Sequence, residues 1–381
     1  MHTQHDPVQK FYKPALRLMT FLLAALWAGT NVYAQEKPSI LFCAPDGTRG
    51  GMLNMTYVKE LHDKGFEVDY TEELDEFFKL SPERIKKYNV LVIYITPDAY
   101  KVCHQALHPS PELAASFRKM IDDYVASGGG VLLIPDEGNV KKQMVGDLTS
   151  IWGIQIASER IEESNKDFNS KLTNASYDIP LAYTDNVLPS PVGSGITGVW
   201  YPSGQHYNGS CANPLVIDKD WQVVFKGSKT SKARAFGSKD DYGFGDHIAG
   251  VPCRKEGAAE PDLFAIRDYK KGRLALAEMM RQYSMGSGTQ FIFKREVLSK
   301  GIKARKSDFG QLLENTYRWL AEPSLKSKTV GGYSTRESAL VPINYRKLVR
   351  EFNDYTYWFW EYDVMQWHVQ SKNAQIFKGL I

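Results

Sequence analysis

Between residues 37 and 139, short apolar runs alternate with stretches of helical spacing. Ser39-Ile40-Leu41-Phe42-Cys43-Ala44 and Val90-Leu91-Val92-Ile93-Tyr94-Ile95 are apolar without interruption. A strand of that kind is covered on both faces, as in a parallel sheet flanked by helices. Phe66-Glu67-Val68-Asp69-Tyr70 alternates instead, the pattern of an outer strand. Over 52–64 the apolar positions Met52, Met55, Val58 and Leu61 predict a helix that stops at Gly65. Ser81-Pro82-Glu83 opens a short helix, with Ser as N-cap and Pro at the first helical position. Residues 111–126 predict a long amphipathic helix ending at Ser127-Gly128. A glycine-led strand, Gly128-Gly129-Gly130-Val131-Leu132-Leu133-Ile134, follows, and then a helix over about 140–152.

Strands separated by helices of this length imply right-handed crossovers and a doubly wound, mostly parallel α/β sheet. Such sheets bind ligands beyond the carboxyl ends of their strands. The loops at 45–51, 96–109 and 135–139 therefore hold the candidate chemistry. From about 158 to 260 the texture shifts to Gly, Pro, Asn, Ser and Asp with isolated aromatics, which predicts a long loop-rich insertion with short strands such as 221–225. The runs 263–269 and 273–277 flank Lys270-Lys271-Gly272, a hairpin signal. A terminal helix is expected over 308–320, ended by Pro323, with 324–347 as a polar linker around Gly331-Gly332. Residues 348–381 include Tyr355-Thr356-Tyr357-Trp358-Phe359-Trp360, too much aromatic surface to fold alone. This extension is expected to contact a further module or another subunit.

Composition changes this picture in three places. The chain has 381 residues and 43% hydrophobic residues, enough for one large core or two ordinary ones. A net charge of +3, with no basic block standing clear of neighbouring acids, argues against a nucleic-acid partner. The amino terminus carries Lys10, Lys13 and Arg17, then an apolar run over 18–27, then Val32-Tyr33-Ala34 before Gln35. That order predicts a cleaved export signal over 1–34 and a secreted or periplasmic product, with the domain itself spanning 35–323. The apolar run is about ten residues, short of the ~20 that span a bilayer. Export permits disulfides, and Cys211 and Cys253 in the loop-rich middle are the candidate pair. Cys43 is expected to be a small core residue. No Cys or His spacing suggests zinc, and no cofactor is indicated.

Three places carry a resemblance. They are Tyr88-Asn89-Val90-Leu91-Val92-Ile93-Tyr94; the helix and glycine-led strand from Phe117-Arg118-Lys119-Met120 through Ser127-Gly128-Gly129-Gly130-Val131; and the late pair Tyr269-Lys270-Lys271-Gly272-Arg273-Leu274-Ala275 with Leu312-Leu313-Glu314-Asn315-Thr316-Tyr317-Arg318-Trp319-Leu320. Together, over about 38–322, they resemble the class I glutamine amidotransferase-like superfamily, and within it the trehalose-utilisation (ThuA-like) branch. The resemblance implies a flavodoxin-like sheet. It also implies, for a glutaminase, a Cys at the turn after the glycine-led strand and a His and Glu after a later strand. Here that turn reads Pro135-Asp136-Glu137-Gly138-Asn139, and no His occurs between Leu263 and Leu320. Glutamine hydrolysis by that route needs a thiolate paired with a base, and neither is in place.

The remaining candidates each have a plain structural reading as well. Asp136 and Glu137 suit a ligand cleft or acid–base work; they equally suit capping the helix that follows. Asp46-Gly47-Thr48-Arg49-Gly50-Gly51 is either a tight turn or an anion cradle, with Asp46 and Arg49 as ligand-binding candidates. Cys103-His104 and His108 are loop residues or a weak nucleophile–base pair. His206 and His247, with Asp240, Asp241, Asp246, Tyr201, Tyr207 and Tyr242, form either solvated loops or a carbohydrate or metal site, since Tyr offers a flat apolar face and a hydroxyl. Asn54, Asn174 and Asn208 head glycosylation triplets. The expectation is a secreted, non-catalytic module for a carbohydrate ligand. The alternatives are a hydrolase built on Asp136, Glu137, His206 and His247, or the amino-terminal support of a larger one.

Overall fold

The uninterrupted apolar runs become the centre of one sheet. In a computed structural model, residues 36–43, 55–71, 80–95, 111–135, 151–156, 159–173, 178–203, 214–235, 258–277 and 299–336 are described. The chain divides into two units, 1–37 and 38–381, and the architecture that follows is that of the second. Its sheet contains β1 (Ser39–Cys43), β2 (Glu67–Tyr70), β3 (Val90–Ile95), β4 (Gly130–Pro135), β11 (Gln222–Lys226), β13 (Asp262–Tyr269) and β14 (Gly272–Ala277). The order is β11-β13-β14-β4-β3-β1-β2. From β2 to β14 every pairing is parallel; β13 and β11 extend the sheet antiparallel. The parallel part follows the 2-1-3-4-5 order of flavodoxin-like folds.

All five residues of β1 are buried, and they serve both faces in turn. Ile40 and Phe42 join a core with Tyr57, Val58 and Leu61 of helix α1 (Met55–Asp63) and with Leu312, Leu313, Tyr317 and Leu320 of the last helix. Leu41 and Cys43 join the opposite core, with Ile85 of the short helix α2 (Pro82–Ile85) and Phe117, Ile121, Tyr124 and Val125 of α3 (Pro111–Ala126). The alternating run over 66–70 is the edge strand β2, as expected, and Ser81 caps α2 by accepting a hydrogen bond from the Arg84 amide.

The glycine run before β4 is a packing device. Gly128 ends α3 at φ +108°, a left-handed conformation that glycine adopts at no steric cost. A Cβ at Gly130 would lie 2.5 Å from the carbonyl oxygen of Leu320, so only glycine lets the last helix approach the strand this closely.

That last helix, α4 (Phe309–Ser327), does not stop at Pro323 but runs through it for another turn and ends at Lys328 in the left-handed region. Proline removes one N–H and leaves the carbonyl four residues back without its helical partner. Here that carbonyl belongs to Trp319, and Arg273 of β14 donates to it at 2.7 Å. The same guanidinium lies 4.6 Å from the Trp319 ring centroid and pairs with Glu322 at 2.6 Å. A residue on the sheet thus replaces the missing helical hydrogen bond.

The expected linker begins as structure. Val330 is buried. The amides of Gly331 and Tyr333 donate to the carbonyls of Lys86 and Lys87, both at 2.9 Å. The Tyr333 ring lies 4.8 Å from that of Tyr88. Thr335 donates its amide to Glu67 at 2.7 Å and accepts from the Val68 amide at 2.8 Å, which covers part of the β2 edge. Residues 329–335 therefore form a strap across the amino ends of the strands.

The middle of the chain is richer in strands than its composition suggests. β5 (Ile154–Ile156) pairs with β10 (Leu215–Ile217), β6 (Glu159–Glu163) pairs with β12 (Ser231–Ala235), and β7 (Asn169–Thr173), β8 (Asp178–Thr184) and β9 (Val199–Pro202) form a meander. β11 leaves this region to become the sheet's outer strand. Asp308, just ahead of α4, anchors the region by accepting from the Thr197 amide and hydroxyl at 2.8 and 2.6 Å.

If Arg273 substitutes for the hydrogen bond that Pro323 removes, the two positions are coupled. Arg273→Met is expected to lower stability by about 1.5–3 kcal/mol in urea unfolding. In a Pro323→Ala background, where the helix supplies its own donor to Trp319, the loss is expected to shrink by about 1 kcal/mol or more. Additive losses would show that Arg273 and Pro323 act independently.

Candidate functional site

The register of the parallel strands sets where the candidate segments leave the sheet. Cys43 of β1 pairs with Ile93 of β3, and Ile95 at the end of β3 pairs with Pro135 at the end of β4. The chain therefore leaves β1, β3 and β4 along one edge of the sheet, and segments 44–54, 96–110 and 136–150 start side by side. The strand ends they leave from are apolar: Cys43, Ile93, Leu133 and Ile134 are all buried. Cys43 forms no disulfide.

Asp46, Arg49, Cys103, His104, His108, Asp136 and Glu137 belong to those three segments and lie outside the described residues. So do His206, Tyr207, Asp240, Asp241, Tyr242, Asp246 and His247, the cysteines Cys211 and Cys253, and Asn54, Asn174 and Asn208. Residues 140–150 of the helix expected over about 140–152, and the aromatic extension 348–381, fall outside as well. Among the described residues, no group of three or more His, Cys, Asp or Glu side chains is arranged to hold a metal ion. No helix among them is long and apolar enough to cross a membrane.

Of the ligand-binding candidates, Tyr201 is the one within the described residues, and it is fully buried on β9. No face of its ring is open to a sugar. Its hydroxyl is also buried; the Ser231 hydroxyl lies beside it and lowers its pKa slightly, but the two do not meet in ordinary hydrogen-bond geometry. Burial first, and then the negative charge of Glu163, push the phenol far above its ordinary pKa. The hydroxyl stays neutral across any physiological range.

Two constellations escaped the sequence reading. Glu163 is buried, and its carboxylate accepts from the Ser228 hydroxyl, from the Thr230 hydroxyl at 2.6 Å and from the Asn165 amide at 2.7 Å. This closes the turn after β11 onto the end of β6. The second is Arg305, whose guanidinium carbon lies 4.6 Å from the ring centroid of Phe168 and 5.4 Å from that of Tyr183. The signal for it was present as Lys300, Lys303, Arg305 and Lys306 within seven residues. A charge balance taken over the whole chain conceals that cluster.

No family model matches this chain, and no curated protein matches it. Among solved structures it is similar to the N-terminal domain of mmIFT52, at 9% identity and a TM-score of 0.42, covering 74% of this chain and 96% of that one. It is similar to a cytoplasmic protein of Salmonella typhimurium LT2, at 14% identity and a TM-score of 0.42, covering 74% and 99%. It is also similar to a ThuA-like protein from Parabacteroides merdae, at 12% identity and a TM-score of 0.37, covering 75% and 90%.

Because the Tyr201 hydroxyl is desolvated with only the poorly aligned Ser231 hydroxyl beside it, Tyr201→Phe is expected to leave stability unchanged or to raise it by up to about 1 kcal/mol, read from thermal or urea unfolding. A loss larger than about 1 kcal/mol would mean the hydroxyl holds a partner after all.

Proposed function

We propose that the protein is an exported, non-catalytic ligand-binding or accessory module on an amidotransferase-like scaffold, and that its ligand is a carbohydrate. One observation carries the reading. β4 ends at Pro135, level with the end of β3, and the residues that follow are Asp136 and Glu137. The superfamily's glutaminases place a thiol there. A carboxylate can bind a hydroxyl or act as a general base, but it does not replace a thiolate in forming the acyl intermediate of glutamine hydrolysis. Export is supported by the basic and apolar order of residues 10–34. A sugar ligand is supported by the tyrosines and acids at 207 and 240–246, which match the flat, hydrogen-bonding character of a sugar.

The test uses the purified chain. Incubation with glutamine is expected to release no ammonia. A thermal-shift screen with sugars and divalent metals is expected to give a stabilising shift with a sugar, lost in Asp136→Ala or Glu137→Ala. Ammonia release would overturn the proposal. Hydrolysis of a glycoside that depends on Asp136, Glu137, His206 or His247 would overturn the non-catalytic part and favour the hydrolase.

A further inference from the structure

The turn after residue 301 is strained and tied down. Lys303 and Ala304 both adopt positive φ, 50° and 59°, in a two-residue connection that normally favours Asn-Gly. Ile302 and Arg305 close it as an antiparallel bridge. The Lys303 ammonium donates to the carbonyls of Lys166 and Asn169 at 2.9 and 2.5 Å, which fastens the turn to the loop ahead of β7.

This fastening plants Arg305 on aromatic surface. Phe168 and Tyr183 meet edge to face at 5.4 Å, and the guanidinium lies against both rings. Its own carbonyl accepts from the Trp200 indole at 3.1 Å, so the backbone is held too. Arg234, Arg267, Arg273 and Arg318 each pair with a carboxylate. Arg305 pairs with none among the described residues, and its guanidinium makes no hydrogen bond there. A cation–π seat orients the planar fork without occupying its N–H donors. In the same basic stretch Lys300 is exposed, as is Lys166 two residues before Phe168, and neither forms an ion pair among the described residues, while Lys306 reaches the buried Asp308 at 2.5 Å. Asp167 and Asp185 are the carboxylates of the flanking turns.

We infer that Arg305 anchors a binding site for an oxyanion, and that the ligand is an acidic sugar whose carboxylate takes the guanidinium fork. The fork matches a planar carboxylate by two parallel hydrogen bonds, and the lysines of the same stretch add attraction that salt weakens. The oxyanion site stands on the geometry of Arg305; the sugar rests on the function proposed above.

The experiment is calorimetric titration of the purified chain at low salt with a trigalacturonate, a neutral trisaccharide and inorganic phosphate. The trigalacturonate is expected to bind, more weakly as salt rises. Arg305→Lys keeps the charge and the aromatic contact but loses the fork, and is expected to weaken binding about tenfold or more at unchanged melting temperature. Lys300→Ala, which leaves the guanidinium and its two rings untouched, is expected to weaken it by less than about threefold. Equal binding of the neutral trisaccharide, or an unchanged affinity in Arg305→Lys, overturns the Arg305 site and leaves carbohydrate binding standing. Phosphate binding that Arg305→Lys abolishes, with no sugar bound, keeps the oxyanion site and overturns the sugar. No binding of any of the three overturns both.

Discussion

The side-chain amide of Asn89 joins the parts of this fold that are most distant in sequence. It is buried, and all its hydrogen-bonding capacity is used. Its Oδ1 accepts from the amide and hydroxyl of Ser39 at the head of β1, both at 2.9 Å. Its Nδ2 donates to the Ser324 hydroxyl in the last turns of α4 at 2.9 Å and to the Val330 carbonyl in the strap at 3.1 Å. Its backbone carbonyl accepts from Gly130 at the head of β4, and its N–H donates to Ser39. A buried amide is costly when half-satisfied and specifying when complete. Here it sets the relative positions of β1, β3, β4, α4 and the strap in one place. The strap's Gly331 is part of the arrangement: it adopts φ +118°, and a Cβ there would lie 2.5 Å from the amide nitrogen.

Fixing the amino ends fixes the opposite edge. Strands aligned by Asn89 and Ser39 must end in register, which is why Ile95 and Pro135 are level and why the three loops at the carboxyl edge begin together. The two ends of the sheet thus divide their roles. The amino end is a closed polar junction roofed by the strap. At the carboxyl end the strands finish in buried apolar residues, on the side where such sheets bind ligands. The glycines of the run before β4 belong to the first role, although in sequence they point toward the second.

What was legible in the sequence depended on how local each signal is. The limits of α3, the Ser81 cap, the alternation of β2 and the hairpin of β13 and β14 are written in neighbouring residues, and the structure has them where expected. Pro323 is a local stop signal that a distant residue overrides, and nothing near it announces Arg273. The strap looked like a linker because its composition is polar, while its hydrogen bonds go to Lys86, Lys87 and Glu67 far upstream. Two pairings of the middle region, β5 with β10 and β6 with β12, span long intervening segments, so those strands follow from partners rather than from period. At the candidate site, Tyr201 has the residue type of a sugar platform and the position of a core residue. Arg305 has neither acid nor aromatic beside it in the chain; its setting comes from folding Phe168 and Tyr183 against it.

The most direct measurement is native-state hydrogen exchange on the amides of Ser39, Gly130, Gly331 and Tyr333. If the Asn89 junction makes one cooperative unit of strands, last helix and strap, all four exchange only through global unfolding. Asn89→Ala then lowers their protection together. Exchange of Gly331 and Tyr333 at the rate of open chain while Ser39 and Gly130 remain protected would contradict the account, because the strap would then be a linker and not part of the fold.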